Sequence, residues 1–161
     1  MIRIHPPDLQ RMHEELQQAI RGHAEWHRHL VRTLVCRQPP ATADLRDDAH
    51  RSCGFGQWLY HQAQNDLQGR PECELIEAEH RRLHGLAARL LREMVDSGSV
   101  SLGGFDDFVA GSARLRLQLD SLRHEMSVAL RSRDVLTGTY RRVEILPALR
   151  DARELLLRGV Q

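Results

Sequence analysis

Lysine is absent from this sequence, and its 23 strongly basic side chains are all arginine. They are scattered along the chain and nearly matched by 22 acidic residues, for a net charge of +1. That balance excludes a general nucleic-acid-binding surface. No run approaches the roughly 18 to 20 apolar residues that span a bilayer, and the opening MIRIH lacks the apolar stretch of a secretory signal. The expected location is the cytoplasm, away from any membrane. Cysteine is sparse: Cys36, Cys53 and Cys73 are an odd set, too few for a disulfide framework. In a reducing compartment they stay thiols, open to metal or oxidant. No segment alternates polar and apolar residues with period two, so no sheet is expected. At 161 residues the chain has the size of one compact core.

Histidine, by contrast, is abundant, with ten residues, a compositional pointer to metal chemistry. The apolar spacing gives the frame that carries them. Leu9, Met12, Leu16, Ala19, His23, Trp26 and Leu30 follow at intervals of three and four, which predicts a first helix over about residues 7–35. RQPPATAD breaks it, because Pro39 and Pro40 cannot continue a helix, and a loop is expected to about residue 52. CGFGQWLYHQA then offers Phe55, Trp58 and Leu59 on one side of a short helix, about residues 55–64, with Cys53 at its entrance. Pro71 suits the first turn of a third helix, whose stripe is Cys73, Ile76, His80, Leu83, Ala87, Leu90 and Met94 and which stops near DSGS. After Gly103 and Gly104, Phe105, Phe108, Ser112, Leu115, Leu119, Leu122, Met126 and Ala129 predict a last helix to about residue 133. The expected fold is all-α: an antiparallel four-helix bundle over residues 1–133, followed by a C-terminal linker and helix.

The stretch EHRRLH places His80 and His84 four apart on the core stripe of the third helix. Residues at that spacing have Cβ atoms about 5 to 6 Å apart, so two imidazoles can converge on one ion with bonds of about 2.0 to 2.1 Å. The pair has the spacing of the zincin signature H-E-x-x-H, but Arg81 stands where the general-base Glu is required, and a metalloprotease is excluded. Further ligands must come from facing helices, and His23 on its seam and the thiolate of Cys53 are the obvious candidates. Three nitrogens and one sulfur suit tetrahedral Zn²⁺ better than the oxygen-seeking Mg²⁺ or Ca²⁺, and four protein ligands leave no position for a catalytic water. His27, one turn after His23, competes for the metal from off the seam. Cys73 is expected in the core, as are Trp26 and Trp58, while His13, His50, His61 and His124 are expected at the surface or around the site. Any one of these histidines, taken alone, would more often be a core-edge residue hydrogen-bonded to a neighbour; the set changes the odds.

His23 with Trp26, CGFGQW from Cys53 to Trp58, and HRRLH in the third helix together resemble the chemoreceptor zinc-binding domain. That bacterial four-helix bundle has one His, then C-x-F-G-x-W, then H-x-x-x-H, and the resemblance spans about residues 8–133. It implies that His23, Cys53, His80 and His84 ligate zinc, that the domain forms homodimers, and that bound zinc represses an attached output enzyme.

DVLTGTYRR, residues 134–142, resembles the opening motif of GGDEF diguanylate cyclase domains, usually D-x-L-T-G-L-x-N-R-R. Asp134, Leu136, Thr137, Gly138, Arg141 and Arg142 match, while Thr139 replaces the usual Leu and the stretch before the Arg pair is one residue short. Residues 134–161 are therefore expected to be the start of a GGDEF domain, with residues 142–160 its first helix. The rest of such a domain is not in the sequence: no GG(D/E)EF loop and no nucleotide site follow. The expectation is a regulatory half, non-catalytic by itself, of a zinc-responsive diguanylate cyclase. Two other readings stand beside it, a metal-free structural dimerisation bundle and a thiol redox sensor working through Cys53.

Overall fold

The computed structural model describes residues 6–63 and 70–158, with side chains described for residues 8–63 and 70–132. Helix α1, Pro6–Cys36, ends as its sequence requires. Arg37 turns into the left-handed region (φ 50°), and the Gln38 N–H closes the helix by donating to the Thr33 carbonyl at 3.0 Å. This is a Schellman-type end, and Pro39 and Pro40 carry the chain away.

The connection to Cys53 is more ordered than the expected loop. A 3₁₀ turn, Thr42–Leu45, and a one-turn helix α2, Ala49–Ser52, occupy it, the turn closed by Asp44 N–H to the Ala41 carbonyl at 3.0 Å and the helix by Cys53 N–H to the Ala49 carbonyl at 3.2 Å. Helix α3, Gly54–Gln57, runs directly into a π-helical turn, Trp58–Gln62. The expected end of this helix at residue 64 lies outside the described residues.

Helix α4, Pro71–Ser97, has Pro71 in its first turn and stops at Gly98, whose φ of 71° permits the αL cap in which its N–H donates to the Met94 carbonyl at 2.9 Å. Helix α5, Leu102–Arg158, is the longest element at 57 residues, about 86 Å end to end. Its expected end near residue 133, and the linker expected after it, give way to continuous helix. No proline interrupts residues 131–142, and a glycine such as Gly138 costs a helix only about 1 kcal/mol relative to alanine. The side chains of DVLTGTYRR and of the stretch to residue 160 lie outside those described.

Side-chain pairings set the directions of the long helices. Glu93 meets Ser101, Glu79 meets Arg114, and Arg70 meets Glu125, so α4 and α5 run antiparallel. His13 meets Ser127 and His27 stacks on Phe108, so α1 and α5 are antiparallel too. The short helices fill the remaining side, α3 against α1 and α2 against α4. The molecule is all-α, and among the described residues no helix is long and apolar enough to cross a membrane.

The core is the stripe read from the sequence. Leu9, Met12, Leu16, Ala19, His23 and Leu30 of α1 are buried, and so is every seam residue of α4 from Cys73 to Met94. Helix α5 adds Phe108, Leu115, Leu119, Leu122 and Met126. Burying side chains of this size is worth about 1.5 to 3 kcal/mol each, which makes this stripe the main stabilising feature of the bundle.

A candidate metal centre between three helices

Into that apolar stripe the sequence inserts three histidines, and the fold brings them to one point. His23 from α1 and His80 and His84 from α4 are buried, and their candidate ligand nitrogens all lie within 4.8 Å of one another. The ring centroids are 5.0 Å apart for His23 and His80, 4.7 Å for His80 and His84, and 5.8 Å for His23 and His84. Cys53 lies at the edge of this group on the short-helix side, with its Sγ 3.2 Å from Nε2 of His80, while the three nitrogens that lie mutually within reach are those of the histidines.

Cys53 reaches this position because of the glycines around it. It caps α3, its Sγ accepting the Gly56 N–H at 3.3 Å. At Gly56 the backbone passes so close to the preceding turn that an added Cβ would collide with the His50 carbonyl. Phe55, wholly buried, stands edge-on to His80 at 4.9 Å, and Trp58 packs against Phe55 at 5.7 Å. The CGFGQW run thus bends the chain tightly, aims the thiol inward and seals one wall with aromatic rings.

Burial sets the protonation of the group. It pushes the His23 imidazole down from 6.5 to about 4, with nearby His27 a lesser cause. His84 is pushed down to about 3 by burial first and then by His23 and His50. His80 is lowered further, by burial and then by His84, His23 and His50. All three rings are therefore neutral at pH 7, the form that offers a lone pair to a metal. Burial has the opposite sign at Cys53, pushing its thiol up, and hydrogen bonds from the Gly56 and Phe55 amides offset this only in part.

The described residues do not fully satisfy the histidines: among them, Nε2 of His23, Nδ1 of His80 and both ring nitrogens of His84 are buried without a hydrogen-bond partner. A buried polar group in that condition costs about 1 to 3 kcal/mol, so four of them in one cluster need an explanation. A cation with a preference for nitrogen and sulfur would take one nitrogen of each ring and so account for part of that cost, and the donor set fits Zn²⁺.

The other candidates separate cleanly. His27 stacks on Phe108, centroids 5.1 Å apart and planes 10° from parallel, and is not in the histidine cluster. Cys73 is buried in the core, and Cys36 is exposed. His13 meets Ser127 Oγ at 3.0 Å, while His61 and His124 are exposed. Of the two places expected for His50, the surface or the surroundings of the site, the structure shows the second: it is buried, 6.5 Å from His80 between ring centroids.

Trp26, expected in the core, is half-buried against it and lies flat on His84, with centroids 4.0 Å apart and planes at 27°. Its Nε1–H donates to Oδ1 of Asp44 at 2.8 Å. Nothing in PPATAD distinguishes Asp44 from an ordinary loop aspartate.

The family model described as chemoreceptor zinc-binding domain matches residues 23–91, a span that begins at His23 and takes in Cys53, His80 and His84. No curated protein and no solved structure matches the chain.

Proposed function

We propose, on the footing that residues 23–91 are a chemoreceptor zinc-binding domain, that this chain is a zinc-responsive regulatory module. His23, Cys53, His80 and His84 hold one Zn²⁺, which supplies a fixed positive charge that ties α1, α3 and α4 together. The observation that carries this reading is the cluster of buried imidazoles with unpartnered nitrogens, set against a thiol. A metal-free structural bundle would leave those nitrogens buried at a cost of about 1 to 3 kcal/mol each. A thiol enzyme or redox sensor acting without metal would need a depressed thiol pKa, whereas burial raises that of Cys53.

The route to an output is α5. Glu79, one residue before His80, accepts from Arg114 of α5 at 3.0 and 3.2 Å, at the point where Gly111 lets the two helices approach. A shift of α4 on zinc release would thus be felt by α5, the helix whose sequence carries DVLTGTYRR. The output assigned here is a diguanylate cyclase in cis, repressed by the zinc-bound form, with a homodimer bringing two cyclase halves together.

The decisive experiment is the zinc content per chain of freshly purified protein, measured beside His80→Ala. One zinc per chain, lost in the variant, is the expected result; none, and none taken up from a competing chelator, would refute the reading. For the output, the coding sequence downstream of Gln161, read in all frames, should contain a GG(D/E)EF loop. Its absence would remove the cyclase from the proposal and leave the zinc module.

A further inference from the structure

Metal-bound histidines are ordinarily held in place by a hydrogen bond from the ring nitrogen that does not face the metal. His84 has no such partner among the described residues, for both its nitrogens are without one. What fixes its ring is the stack on Trp26. Trp26 is in turn fixed by its N–H donated to Asp44, on the 3₁₀ turn Thr42–Leu45. That strap is tied down a second time, from α4, where Arg92 Nη2 donates to the Leu45 carbonyl at 2.7 Å. The strap therefore bridges α1 and α4 beside the histidine cluster, and the chain runs on from it to Cys53.

We propose that Asp44 and Trp26 are a positioning pair: the strap carboxylate orients the indole, the indole holds the His84 ring in its ligating orientation, and together they govern how fast zinc leaves. The proposal rests on the zinc reading above. Its chemistry is specific. An imidazole bound to a dication is electron-poor, an indole face is the best aromatic partner for positive charge, and a carboxylate accepting the indole N–H adds negative charge on the far edge. The stack is thus worth more with the metal bound than without it, and loosening the strap weakens the loaded state selectively.

The test uses the whole chain with Asp44→Ala and Asp44→Asn. In metal-free protein, Asp44→Ala should raise amide exchange over residues 42–48 and shift the His84 ring resonances. In zinc-loaded protein, transfer of zinc to excess chelator should be faster by about 10- to 100-fold, the usual effect of losing an outer partner of a metal ligand. Asp44→Asn, which keeps an acceptor oxygen for the indole, should return both readouts most of the way to the wild-type values. Unchanged strap exchange and release in Asp44→Ala would overturn the proposal, as would an Asn variant as defective as Ala. A wild-type protein that takes up no zinc would refute the metal reading instead, and the positioning claim would then be decided by the His84 ring resonances of Asp44→Ala in the metal-free protein.

Discussion

Two stretches of one helical stripe differ in what they are for. From Leu9 to Ala19 the seam of α1 is apolar, and it packs on an equally apolar part of α5 that ends in Leu122 and Met126. One turn further on, the same seam carries His23 opposite His80 and His84, with Trp26 and Phe55 around them. The first stretch gains free energy simply by leaving water. The second is just as buried, yet its rings keep unpartnered nitrogens, so it lowers the stability of the metal-free bundle. A fold that retains such a layer is held together by its apolar stretch and tuned by its polar one.

Acid should separate the two stretches most widely. The three histidines have folded values well below 6.5, His23 at about 4 and His84 at about 3. Their neutral form is favoured by folding, while the unfolded chain takes up protons as pH falls through 6.5. Stability of the metal-free protein is thus full above that value and is lost as pH drops from 6.5 toward 4. The slope reaches about 1.4 kcal/mol per pH unit for each ring, roughly 4 kcal/mol for the three. Denaturant titrations in chelator across that range should show the loss, and a flat profile would mean that the rings are solvated. Zinc affinity should fall over the same range, because protons compete for the ligand nitrogens.

How far each stretch was legible in the sequence follows from the same contrast. Apolar seams repeat at a spacing that only a helix can use, so Leu9 to Leu30 and Cys73 to Met94 marked their helices nearly to the residue, and Phe105 to Ala129 marked the existence and the start of the last one. The histidine layer was legible as well, because imidazoles on a buried stripe violate the pattern, and the C-x-F-G-x-W run carried the family resemblance. What escaped was set by tertiary contact alone. Asp44 meets Trp26, 18 residues away in the chain, only in the folded state. The length of α5 escaped for another reason: DVLTGTYRR reads as a motif with a boundary before it, while its residues are compatible with helix.

Paired truncations sharpen the comparison at the next scale. Leu16→Ala, in the apolar stretch, should cost the metal-free protein about 2 to 5 kcal/mol, as large-to-small changes in packed cores do, and should leave zinc stoichiometry intact. Cys53→Ala, in the polar layer, should do the reverse. The bundle folds, since the residue is only part-buried, but zinc affinity falls well beyond the roughly 10- to 100-fold expected for an outer partner. Chemical denaturation and a chelator competition titration on both variants read the two quantities separately. Unchanged affinity in Cys53→Ala would remove the thiol from the site.

The smallest change tests the contrast directly, by converting a position of the second stretch into the first kind. His84→Leu replaces a ring with two orphaned nitrogens by an apolar side chain that can keep its contact with Trp26. Removing unsatisfied buried polar groups without leaving a void should stabilise the metal-free protein by about 1 to 3 kcal/mol, visible as a raised denaturation midpoint in chelator. The same variant should lose the response to zinc, so that its midpoint no longer moves when the metal is added. If His84→Leu instead destabilised the metal-free bundle, the imidazole would be a structural member of the core with partners of its own, and the layer would owe its histidines to packing. A more stable bundle that ignores zinc would show that the histidines are kept at the expense of stability because binding the ion requires them.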